Sequence, residues 1–293
     1  MLKTNFPLQQ DRISSCYIEA CRLEVRSLKP GNVHIFSEGH GMTVEDFNRS
    51  AEITAPFLSD PNLPIGTRIL KSVEATINIL HTNTNLGIVL LCAPIAAAAG
   101  PLAYGEGLLE RIVYMLSSLR HSDACEVYKA ISIAQPAGLG KVSEGDVANV
   151  PPSSWTLLDA MKASAHKDMI AAQYERSFSD IVDCSNLYQK YFQKGAGREE
   201  ALSFVYLQKL SEVHDTHIVR KHGIEKAEWV RKTSQKLLND LNISEAQDLS
   251  SPTIRGRLLT FDQELKMRGY NPGSLADIMC ASAFFSQLIN THC

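Results

Sequence analysis

The residues able to do chemistry in this 293-residue chain gather at five short stretches. In the first, Leu28-Lys29-Pro30-Gly31-Asn32-Val33-His34, proline fixes one dihedral and glycine frees the next, so Lys29, Asn32 and His34 stand on a defined turn. A lysine held there can meet a phosphate or lie solvated beside a helix end. The second, Asn83-Thr84-Asn85-Leu86-Gly87, precedes a helix start, where backbone N–H groups lack partners and glycine admits a ligand close to the chain. These residues either cap the helix or seat an anion. The third, Gln135-Pro136-Ala137-Gly138-Leu139-Gly140-Lys141-Val142 followed by Glu144 and Asp146, is a ligand-holding type of loop, but its spacing is not that of a phosphate-binding P-loop. The fourth, residues 212–223, concentrates His214, Asp215, His217, Arg220, Lys221 and His222 before a capping Gly223. Helical spacing there predicts that His214, His217 and Lys221 share a face; two histidines three apart are a weak metal signal, and no zinc is expected. In the fifth, Gly269 to Asp277, a tight turn carrying Asn271, Gly273 and Ser274 opens a helix and supplies a second N-terminal seat for phosphate. Ser274 and Asp277 read as a capping box, which explains Asp277 without a ligand.

Two further features are polar residues on otherwise amphipathic runs. Glu74, Asn78 and His81 form a stripe leading to Asn83; Glu74 is a partner for a base, a metal-binding carboxylate or an ordinary exposed glutamate. His166, Lys167 and Asp168 interrupt a helical pattern spanning 154–174, where Asp159 can share a face with His166 and Asp168 projects elsewhere.

The elements that must position these residues are helices. Residues 86–99 contain no charge, so that helix must be covered on every side, and it is too short to cross a bilayer. Apolar residues recur at helical spacing over 10–27, from Thr43 towards Leu58, over 66–81, 105–119 and 122–134, and again over 154–174, 180–192, 198–222, 225–241, 252–267 and from 274 almost to the C-terminus. No alternating strand pattern, repeat or low-complexity linker is present. The expected architecture is all-α: a single compact multi-helix domain over residues 1–293, built around a buried apolar central helix.

Composition narrows the partners. A net charge of -3 gives no general reason to expect nucleic acid or an anionic membrane surface, so an anion site must be local. Seven cysteines without C-x-x-C spacing suit reduced thiols, and the polar N-terminus lacks a signal or transit pattern, so a cytoplasmic protein is expected. The sequence leaves an oligomer open.

Together and in order, the KPGNV turn at 29–33, the NTNLG helix start at 83–87, the GLG loop with EGDV at 144–147, DTHIVRKHG at 215–223 and NPGSLAD at 271–277 resemble the triphosphoribosyl-dephospho-CoA synthase family. The resemblance spans nearly the whole chain. It implies an all-helical transferase that joins ATP to 3'-dephospho-CoA, expels adenine and places a triphosphoribosyl group on an acceptor hydroxyl. The product is a prosthetic-group precursor for acyl carrier proteins of citrate lyase and malonate decarboxylase. One departure stands out: better-known members look like Asn-Thr-His-Lys-Gly where this chain has Asn85 and Leu86, which makes it a divergent member whose acceptor can differ, as in a one-carbon cofactor pathway, or which binds nucleotide without turnover.

Under that resemblance, Lys29, Asn32, Asn83, Thr84, Asn85, Gly87, Arg220, Lys221, Asn271, Gly273 and Ser274 are the expected nucleotide and phosphate ligands. Magnesium, implied by ATP, would call on Glu74, Asp146 or Asp215. Candidate proton acceptors or ribose-stabilising groups are Asp168 and Asp215, then His217. The expected partners are ATP and a nucleotide-like acceptor, with neither nucleic acid nor membrane.

Overall fold

The computed structural model describes residues 6–136, 150–241 and 250–290. The chain begins with α1 (Gln10–Arg26), α2 (Val44–Ser59), α3 (Ile65–Leu80), α4 (Leu86–Ala99), α5 (Leu108–Ser117) and α6 (His121–Ala134). It continues through α7 (Leu157–Ser164), α8 (Met169–Glu175), α9 (Ser179–Gln193), α10 (Arg198–Glu212) and α11 (Thr216–His222). The last three helices are α12 (Ile224–Leu241), α13 (Pro252–Met267) and α14 (Gly273–Ile289). The protein is all-α, as its periodicity predicts.

Two greasy helices make the centre. Every residue of α4 except Gly87 is buried, and α14 is buried from Ser274 to Leu288 except at Asp277. Helices α1, α2, α3, α5 and α8 pack on α4, and α14 lies against both α4 and α1, so the core is one continuous apolar cluster. Transfer of this apolar surface out of water is the main drive for the arrangement.

Pro94 sits inside α4 without ending it. Proline has no N–H to give the carbonyl four residues back, so Leu90 O would be an unpaired acceptor in the core. The buried Tyr174 hydroxyl of α8 donates to that oxygen at 2.5 Å. The carbonyls at the other end of α4 are met by Arg111, whose Nε donates to Ala98 O at 2.7 Å and whose Nη2 donates to Gly100 O.

Two long helices expected from the sequence are each broken in two. The 154–174 run stops at Ser164 and restarts at Met169, with Asp168 as extended N-cap accepting from Ile170 and Ala171 N–H at 2.8 and 3.0 Å. The 198–222 run stops at Glu212, Val213 is extended, and Asp215 caps α11 by accepting from Ile218 N–H at 3.1 Å. An aspartate gains more from orphan N–H groups than from a place in a helix interior, which is why both breaks fall there. His214 consequently leaves the predicted histidine face and pairs with Glu228 at 2.6 Å.

Candidate active site

A single cavity of about 950 Å³ gathers most of the chemistry-bearing stretches. The N-terminal ends of α4, α8, α11 and α14 border it, so the positive dipole ends of four helices face one space. Gly87 and Asp277, the openings in the otherwise buried faces of α4 and α14, both line it.

The seat at the start of α4 is held by its own two asparagines. Asn83 Oδ1 accepts from Leu86 N–H at 3.1 Å, and Asn85 Nδ2 donates to Thr76 Oγ1 on α3 at 3.1 Å. Thr84, only 7% exposed, lines the cavity with a hydroxyl that has no hydrogen-bond partner among the described residues. A buried hydroxyl left in that state costs free energy unless a ligand completes it. Asn83, Thr84, Asn85 and Gly87 are all cavity residues.

The Asn32 turn and the Asn271 turn hold one another. Asn32 Nδ2 donates to Asn271 Oδ1 at 2.8 Å, and Gly31 N–H donates to buried Asp262 at 2.8 Å. Gly31 has φ +86°, and a side chain there would meet Tyr270 O and Pro272. At Gly273 a Cβ would lie 2.6 Å from His217 Nδ1. These contacts bring Asn32, His217, Asn271, Gly273 and Ser274 to the same wall.

Cations line the space as well. Lys167, Arg220 and Lys221 border it, with Arg220 Nη1 paired to Asp168 Oδ2. His217 is held neutral: burial, then Arg220 and Lys221, push its pKa down to about 4. A family model described as CitG, ATP:dephospho-CoA triphosphoribosyl transferase, matches residues 10–293. The chain belongs to this transferase family.

Members of the CitG family are enzymes that move a triphosphoribosyl group from ATP to dephospho-CoA for prosthetic-group synthesis, and this chain is one of them. A solved structure from Archaeoglobus fulgidus, described as that of a "putative triphosphoribosyl-dephospho-coA synthase", has the same fold. The TM-score is 0.61 at 22% identity, over 81% of this chain and 96% of that one. A comparison with curated proteins gives no match.

Within this transferase, three residues expected at the site are placed elsewhere. Lys29 is fully buried and lies outside the cavity lining, with Nζ donating to Glu24, Ser27 and Val33 carbonyls at 2.7, 3.3 and 2.9 Å and paired to Glu24 Oε1 at 3.1 Å. It ties the end of α1 to the following turn. Glu74 is on the outer surface, bonded to Lys129 at 2.8 Å. Asp215 is buried behind the wall, where its Oδ2 also accepts from Leu275 N–H at 2.8 Å. Burial raises its pKa to about 6, against the pull of those N–H donors. Asp146 and the glycine-rich loop lie outside the described residues.

Glu24, Asp277, His40 and Lys167 border the cavity but were not singled out as ligands by sequence. Asp277 is no capping residue: Pro272 holds the N-cap position of α14, and the Leu275 N–H is taken by Asp215. Its carboxyl occupies the space a Gly87 Cβ would need and accepts no hydrogen bond from a described residue. Burial and the neighbouring carboxylates of Glu24, Asp215 and Asp168 raise its pKa well above the usual range. The sequence signal was the lone acid in an otherwise apolar helix.

Proposed function

We propose that ATP docks its phosphates on the N-terminal turn of α4, between Asn83 and Gly87, with Arg220, Lys221 and Lys167 neutralising them. The acceptor hydroxyl then attacks the ribose anomeric carbon and adenine departs. The observation that carries this reading is the unpartnered Thr84 hydroxyl at a helix N-terminus, beside cations, in one cavity. Asn271, Gly273 and Ser274 supply the second helix start on the same wall.

His217 is the residue we assign as proton acceptor for the nucleophile. Asp215 is turned away from the cavity, and Asp168 is already used by two N–H groups and Arg220. A neutral imidazole accepts a proton, and its low pKa comes partly from the adjoining cations. Phosphates bound at those cations offset their field, which raises the His217 pKa back towards the ordinary imidazole value when a base is needed.

Magnesium is the expected companion of ATP and would neutralise charge between phosphate oxygens. Glu74 and Asp215 do not fit that task, one facing solvent and the other enclosed by its N–H donors. A second reading, transfer to a different nucleotide-like hydroxyl, is favoured by the neutral Asn85 and Leu86 at the cavity border. A cytoplasmic setting suits the free cysteines, and no helix among the described residues is long and apolar enough to cross a membrane.

Incubation with ATP and dephospho-CoA, followed by mass spectrometry, should give free adenine and a triphosphoribosylated acceptor. Adenine release with another acceptor alone would move the assignment to the second reading. Intact ATP with every acceptor would defeat both.

A further inference from the structure

Breaking the bond between a ribose and adenine leaves an electron pair on the purine, and a proton given to a ring nitrogen in that step makes the base a far better leaving group. His217 takes a proton from the acceptor, so a second group has to give one to the base. Three acids line the cavity, Glu24, Asp168 and Asp277. Glu24 is paired with buried Lys29 at 3.1 Å, and Asp168 is taken by two N–H groups and Arg220. Asp277 makes neither a hydrogen bond nor an ion pair with a described residue. Its carboxyl lies against the first turn of α4, where the missing side chain of Gly87 leaves room for it. Burial, then the carboxylates of Glu24, Asp215 and Asp168, raise its pKa well above the usual range and outweigh Arg220. It therefore keeps a proton where an ordinary aspartate has lost one.

We propose that Asp277 is the catalytic acid of the transfer, passing its carboxyl proton to a ring nitrogen of adenine as the bond from the ribose anomeric carbon to N9 breaks. This assignment rests on the nucleotide reading of the cavity and supplies the proton which that reading leaves unassigned. The electron pair of the broken bond goes into the purine, the acceptor oxygen bonds to the anomeric carbon, and the acceptor proton goes to His217. Adenine leaves neutral. Asp277 is left as a carboxylate and regains a proton from water, to which His217 gives up its own. An acid for the leaving group and a base for the nucleophile is the division of labour by which glycosidic bonds are transferred. A protonated carboxyl also tolerates the triphosphate seated on the neighbouring turn, as a carboxylate would not.

The test is base release in single turnovers of the full chain with dephospho-CoA, comparing ATP with 8-aza-ATP, an analogue of the same shape whose base departs readily as an anion and needs no proton. Asp277→Asn keeps the outline of the side chain and removes the acid. It should bind ATP within about threefold of wild type and release adenine about 10²-fold or more slowly. With 8-aza-ATP its deficit should shrink by about tenfold or more, and Asp277→Ser should show the same split between the two nucleotides. A residue that only supports the fold slows both nucleotides alike. Equal deficits on the two nucleotides, loss of ATP binding in both variants, or adenine release from ATP at the wild-type rate overturns the acid role and leaves the nucleotide reading standing. Wild-type protein that releases the base of neither nucleotide overturns both.

Discussion

His217 and Asp215 are two residues apart, and burial moves their proton affinities in opposite senses. In His217, burial and the cations Arg220 and Lys221 disfavour the imidazolium, so the free enzyme should show an ionisation near 4 in the pH profile of kcat/KM. Bound phosphates counter those cations, so the corresponding limb in kcat should lie at higher pH. Steady-state rates between pH 4 and 8 test this, and coincident limbs would remove His217 from the proton-transfer role. His217→Gln should lower kcat by about 10²-fold or more with little change in KM. In Asp215, the folded pKa of about 6 exceeds the ordinary unfolded value of about 3.9. The folded state therefore binds more protons between those values, and its stabilising share is present below pH 4 and lost as pH rises through 6. Asp215→Asn removes the titration, so urea denaturation should show a difference between wild type and variant that varies from pH 4 to 6 and is flat above 7. A constant difference throughout would mean that the carboxyl does not titrate in that window.

At the level of the helix, the legible and illegible parts of the sequence have separate causes. Helix α4 was readable to its ends because a stretch with no charge on any side admits only a buried position. The breaks at Asp168 and Asp215 were not, because an aspartate within an amphipathic run looks the same whether it faces solvent or caps a new helix. Asp277 was misread for a longer-range reason. The helix starts two residues earlier than the box requires, with Pro272 as its N-cap and Asp215, 60 residues before Leu275, bonding the Leu275 N–H, so Asp277 lies beyond the capping position and faces the cavity. Lys29 likewise read as a phosphate ligand or a solvated lysine, since no local pattern reveals that three carbonyls enclose it. The Pro94 repair of α4 is a tertiary device of the same sort, and it yields a double-mutant test. Tyr174→Phe should cost about 1–3 kcal/mol because Leu90 O is left buried without a donor. In a Pro94→Ala background the restored N–H reaches the same oxygen, and the Tyr174→Phe cost should shrink by about 1 kcal/mol or more. Equal costs in both backgrounds, measured by urea denaturation, would show that the hydroxyl is not standing in for the proline.

Across the whole molecule, the cavity joins residues from α1 to α14, so the site cannot be assembled by any contiguous part of the chain. Apart from Ile289 at the C-terminal end of α14, the two central helices open only where they meet it, at Gly87 and at Gly273 and Asp277. A ligand gripping both openings therefore bridges the two most buried elements and should stabilise the entire fold. At a ligand concentration of about 100 times Kd, the linkage gain is about 2.7 kcal/mol. For a domain this large, that corresponds to a rise of roughly 4–5 °C in the unfolding midpoint. Scanning calorimetry with ATP and Mg2+ should show one transition moving as a unit, and hydrogen exchange should slow in the first turns of both α4 and α14. Gly87→Ala, whose Cβ would overlap the Asp277 carboxyl, should keep the unliganded midpoint within a few degrees and lose most of the ATP-induced shift. Two transitions, only one of them sensitive to ATP, would mean that the helices around the cavity unfold separately from the rest and that the nucleotide does not span the central pair.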